Sequence, residues 1–131
     1  MLTPSSNTVL EPVTAQMLAS MPEASVHFGR FRVTEIALSD RALAQFDDRE
    51  ILRAAELLSH AKVQVIGWNG TSSGWLGFQA DETLCRRISG ETGIAACTSV
   101  LALNEIFERT GVRRFGLVTP YTDDVQEHIF E

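Results

Sequence analysis

The strongest constraint on this fold is a six-residue segment, Val63-Gln64-Val65-Ile66-Gly67-Trp68, set between two stretches of helical periodicity. A short, mostly apolar run of this kind is the pattern of a strand inside a parallel sheet that is covered on both sides. The rest of the chain repeats the theme. Val9, Val13, Met17 and Met21 recur four apart, which predicts a helix over residues 8–20, with Pro12 tolerated early in it. Ser25 to Val33 alternates and predicts a strand, and a second helix runs from about Asp48 to Ala61 with Ile51, Leu52, Ala55 and Leu58 on one face. Beyond Trp68, a glycine-rich loop leads to a helix over 79–90, ended by Gly93. A strand over Ile94 to Cys97 and a helix over Ser99 to Arg109 follow, the latter closed by Gly111 as a C-cap. Phe115-Gly116-Leu117-Val118-Thr119 reads as the last strand, with a helix starting after Tyr121. Alternation of this length predicts an α/β fold of three layers, a mainly parallel sheet with helices on both faces.

Composition matters here mostly for what it excludes. Apolar residues make up 44% of the chain and charged residues 21%, enough for one domain with a core of its own. No apolar run approaches the roughly 20 residues of a membrane span, and the opening MLTPSSNT lacks the regions of a secretory signal, so cytoplasm is the expected compartment. The net charge is −6 and Lys62 is the single lysine, a poor balance for nucleic acid. The pairs Arg86/Arg87 and Arg113/Arg114 read as solvated faces. Cys85 fits a helical pattern as a small buried thiol, and Cys97, near a strand end, is also expected to be buried and inert. No disulfide is expected between them. Neither stands beside a second cysteine or a spaced histidine, so no metal site is expected. His27, His60 and His128 have no neighbours that make a catalytic dyad.

In open parallel sheets ligands bind beyond the carboxyl ends of the strands. Three segments fall there: Pro4 to Thr8, Asn69 to Gly74 and Pro120 to Asp124. Each sets hydroxyls or amides against a helix start, where free N–H groups favour an anion. The central one, Trp68-Asn69-Gly70-Thr71-Ser72-Ser73-Gly74, combines glycines that let a ligand approach with three hydroxyl donors. It is not a P-loop, because no lysine follows at the required spacing. A plain strand-to-helix turn explains it equally well. Asp123-Asp124 admits a magnesium reading or ordinary helix capping, and Trp68 and Trp75 either wall a pocket or pack in the core.

An internal echo adds a second line. Residues 3–11, Thr-Pro-Ser-Ser-Asn-Thr-Val-Leu-Glu, align without gaps on residues 119–127, Thr-Pro-Tyr-Thr-Asp-Asp-Val-Gln-Glu. Each copy reads as the turn leaving a strand and entering a helix. Since only Met1 and Leu2 precede the first turn, its strand is expected to be missing. The chain then divides into a first lobe over 1–112 and the start of a second over 113–131. Such a piece should leave a sheet edge and an apolar patch uncovered, favouring a homo-oligomer or association with a second lobe.

Pro4-Ser5-Ser6-Asn7-Thr8, Val65-Ile66-Gly67-Trp68-Asn69-Gly70-Thr71-Ser72, Gly111-Val112-Arg113-Arg114 and Val118-Thr119-Pro120-Tyr121 together resemble the aspartate/glutamate racemase superfamily, in its arylmalonate decarboxylase and maleate isomerase branch. The resemblance spans nearly the whole chain and matches the N-terminal part of that family. It implies a flavodoxin-like lobe of a two-lobed fold, with the site between lobes. It also implies cofactor-independent chemistry on a small mono- or dicarboxylate, through a carbanion or enediolate. Gly70 matches the position where racemases and maleate isomerases carry a cysteine, and arylmalonate decarboxylases also have glycine there. By the same likeness Thr71, Ser72 and Tyr121 donate hydrogen bonds to a substrate carboxylate, with Asn7, Gly70 and Ser73 helping to bind it. The cysteine that delivers the proton in the family has no match here, and Cys97 does not align with it. The alternatives are a non-catalytic carboxylate-binding protein or inactive fragment, and a flavodoxin-like regulatory domain using Asp123 and Asp124.

Overall fold

The computed structural model describes residues 1–33 and 48–130. Four strands, β1 (Leu2–Pro4), β2 (Gly29–Phe31), β3 (Val65–Trp68) and β4 (Ala95–Thr98), form one parallel sheet in the order β2-β1-β3-β4. The helices are α1 (Leu10–Leu18), α2 (Asp48–Ser59), α3 (Ser73–Leu76), α4 (Phe78–Thr92), α5 (Ser99–Thr110) and α6 (Asp123–Phe130). The apolar run thus becomes an inner strand, as its composition demands.

The strand expected to be missing is present. Leu2 pairs with Gly29 on one side and with Trp68 on the other, and the amide of Asn69 donates to its carbonyl at 3.1 Å. Three residues suffice because β1 is flanked on both sides, which satisfies its backbone groups. The strand expected over Phe115 to Thr119 does not form. That segment has no sheet partner among the described residues, and Val118 is 98% exposed. Strand propensity without a neighbour to pair with yields only an irregular segment.

Side chains alternate sharply across the sheet. Ile66 and Trp68 are buried under α2 and α4, while Val65 and Cys97 are exposed. On the covered face, Leu2, Phe31, Ile66 and Trp68 meet Ile51, Leu52, Ala55 and Leu58 of α2 and Leu84 and Ile88 of α4. Burying a side chain of this size stabilises by roughly 2 kcal/mol. Gly29 permits the close approach of α2, since a Cβ there would stand 3.1 Å from the Ala54 carbonyl. Right-handed crossovers send α1 to the opposite face, because the step from β1 to β2 runs against the later ones. Yet α1 buries none of its residues, and Val13 and Met17 are exposed. Cys97, expected to be buried, is exposed because it points to this sparsely covered face. Among the described residues no helix is long and apolar enough to cross a membrane.

Candidate active site

Strand order reverses between β1 and β3, so the crevice of the fold opens where the loops after these two strands leave the sheet. The loop after β1 is fastened by its own polar groups. The Asn7 side-chain oxygen accepts from the amides of Val9 and Leu10 at 3.0 and 2.9 Å and so starts α1. Arg30 reaches over from β2, donates to the carbonyls of Ser5 and Asn7 and pairs with Glu11 at 2.9 Å. The Ser6 hydroxyl donates to the Val33 carbonyl. Asn7, expected to bind substrate, therefore spends its acceptor on capping.

The loop after β3 divides its hydroxyls. Thr71 forms a short hydrogen bond with the phenol of Tyr121, across 50 residues of sequence. Tyr121 is held by the edge-on indole of Trp75, with ring centroids 5.0 Å apart, and by Gln126, whose side-chain amide donates to the Tyr121 carbonyl at 2.8 Å. Ser72 is buried, and its hydroxyl makes no hydrogen bond among the described residues. Ser73 corrects the sequence expectation. Its hydroxyl turns inward and donates at 2.7 Å to buried Asp81, tying α3 to α4. The Gly70 carbonyl accepts from the Ser99 hydroxyl at 2.7 Å, which fixes this loop to the start of α5.

Thr71 and Tyr121 line a groove of about 870 Å³, together with Phe78, Leu103, Phe107, Phe115 and Leu117 and with Arg113 and Arg114. The arginines are exposed, as expected, yet they contribute the cationic part of a mostly apolar wall. Asn7, Gly70, Ser72 and Ser73 do not line this groove. Of the expected cradle, the structure thus brings two members into contact. Sequence reasoning missed Thr119, which lines the groove and whose enclosed hydroxyl has no partner among the described residues. Its signal was the echo, since the hydroxyl of Thr3, the equivalent residue, is likewise enclosed and without a partner among the described residues.

Other polar groups near the site are committed to structure. The Thr122 hydroxyl, and then the amide of Val125, hold the Asp124 carboxyl below the usual carboxylate range at the start of α6, the behaviour of a capping residue. Burial, reinforced by the nearby charges of Asp81 and Cys97, pushes the Cys85 thiol up to about 11, so it stays protonated near neutrality.

A model of the arylmalonate decarboxylase family matches residues 9–131. The chain belongs to this family. Its fold is shared by a maleate isomerase from Pseudomonas putida solved with maleate, at 26% identity and TM-score 0.79 over 98% of this chain and 54% of that one. Two structures of arylmalonate decarboxylase align at 28% identity with TM-score 0.58, over 70% of this chain and 39% of theirs, and at 23% identity with TM-score 0.62, over 80% and 44%. No curated protein matches the chain. The chain spans about half the length of these solved relatives. Family and neighbours alike are decarboxylases and isomerases, which makes this an enzyme lineage.

Proposed function

We propose that this lobe belongs to a cofactor-independent enzyme that turns over a small carboxylate through an enediolate or carbanion, as an arylmalonate-type decarboxylase or a maleate isomerase-like enzyme. The observation that carries the reading is the Thr71–Tyr121 hydroxyl pair in the lining of a mostly apolar groove that also holds two arginines. In a decarboxylation the bond between the α-carbon and one carboxylate breaks, carbon dioxide leaves, and the electron pair moves onto the remaining carboxylate. Hydroxyl donors aimed at those oxygens stabilise the growing charge, and in a dry site each such donor is worth on the order of 3 kcal/mol. Ser72, whose hydroxyl has no partner among the described residues, is the third donor in this proposal. An apolar wall suits an aryl or alkyl substituent, while Arg113 and Arg114 draw the anion in. The proton that completes turnover comes from a group outside these residues, supplied by a second lobe or a partner copy. The segment over 113–119, without a sheet partner among the described residues, and the length of the relatives support that assembly.

The test is titration of the 131-residue chain with phenylmalonate and with maleate, followed by nuclear magnetic resonance. Perturbations confined to Thr71, Ser72, Tyr121 and the groove are expected, weakening in Tyr121→Phe. Binding elsewhere, or none to either dianion, would overturn the reading.

A further inference from the structure

Gly70 is not a glycine for conformational reasons. The left-handed glycines among the described residues are Gly77, Gly93 and Gly111, and the backbone at 70 is one that any residue adopts. What forbids a side chain there is Trp68. A Cβ at position 70 would overlap Cζ2 and Cε2 of that indole and lie 2.5 Å from Cη2. Neither party has room to yield. Trp68 is 2% exposed, with its ring 5.1 Å from that of Phe31 and its neighbours Leu2 and Ile66 in the same cluster. The Gly70 carbonyl is held by Ser99 and the next residue, Thr71, by Tyr121.

We infer that Trp68 is a positioning residue, whose buried indole keeps the end of β3 as bare backbone and excludes every side chain, a thiol included, from the position next to Thr71. A cysteine placed at 70 therefore does not simply add a thiol to this lobe; residue 68 must shrink with it. The functional meaning rests on the carboxylate reading above, whereas the steric coupling stands without it.

A double-mutant cycle on the 131-residue chain tests the coupling, using Gly70→Ala, Trp68→Phe and both together, read as melting temperature. Overpacking a filled core is destabilising, so Gly70→Ala alone should lower the melting point by about 5 °C. Phenylalanine lacks the benzo edge that collides, and in its background the same change should cost less than about 1 °C. Equal losses in both backgrounds overturn the inference. Should Trp68→Phe not fold, Gly70→Ala alone decides, because the indole must leave its pocket: a red-shifted tryptophan emission supports the coupling, and unchanged emission and melting overturn it. The functional arm alkylates Trp68→Phe/Gly70→Cys with iodoacetamide, with and without phenylmalonate. Protection of the new thiol supports a site beside Thr71. Alkylation without protection overturns the assignment of Trp68 to a carboxylate site and leaves the measured steric coupling as packing alone.

Discussion

Three neighbouring hydroxyls in one turn face three different situations, and the differences govern what each substitution should do. Thr71 and Tyr121 bond to each other at the groove, so Tyr121→Phe removes a donor without disturbing the fold. In an assembled enzyme containing this lobe, Tyr121→Phe and Ser72→Ala are each expected to lower kcat/KM about 10²-fold, the scale of one lost transition-state donor, by steady-state assay. Ser73→Ala belongs to another class. It leaves the Asp81 carboxylate buried without its hydroxyl partner and should cost about 1–3 kcal/mol in chemical denaturation while sparing ligand binding. The two thiols separate as well: exposed Cys97 should alkylate readily at about pH 8, with Cys85 protected. Cys85 also gives stability a pH dependence. Its thiol rises from the ordinary 9.0 to about 11 in the fold, so below pH 9 it is protonated whether folded or not. Between about 9 and 11 only the unfolded chain ionises, and stability should fall as pH rises through that window. Denaturation curves for Cys85→Ala should show a flatter slope there.

At the level of elements, β3 was legible from its apolar run and α2 from its helical periodicity. Ile66 lies inside that run and is fully buried, and Ile66→Ala should cost about 2–5 kcal/mol by denaturation. Helix ends were legible too. Gly93 and Gly111 adopt left-handed caps, with φ of 70° and 67°, and Thr98 accepts from the Leu101 amide at 3.1 Å to start α5. The misreadings share one cause, which is that pairing is not local. Phe115 to Thr119 has every residue a strand needs but no sheet partner among the described residues, whereas Leu2 to Pro4 has few and gains two. The site was half legible for the same reason. Composition marked the turn at 70–73 as rich in donors, but nothing in it told Thr71, which reaches Tyr121, from Ser73, which reaches Asp81. That Trp68 dictates the glycine two residues later is likewise a fact of packing, invisible to spacing.

For the molecule as a whole, the strand order carries a consequence for how the chain acquires its structure. β1 lies between β2 and β3, and its register with β3 joins residue 2 to residue 68. The pairing of β3 with β4 encloses a far shorter loop, one already bridged by α4. Closing the longer loop costs more entropy, so the β3–α4–β4 unit should form first and the seam that joins β1 to β3 should close afterwards. During synthesis β1 can pair with β2 early, but its other edge waits until Trp68 has emerged. Leu2→Ala should then accelerate unfolding and leave the folding rate nearly unchanged in stopped-flow experiments, whereas Ile66→Ala should slow folding. The seam at the middle of the sheet is the last to close.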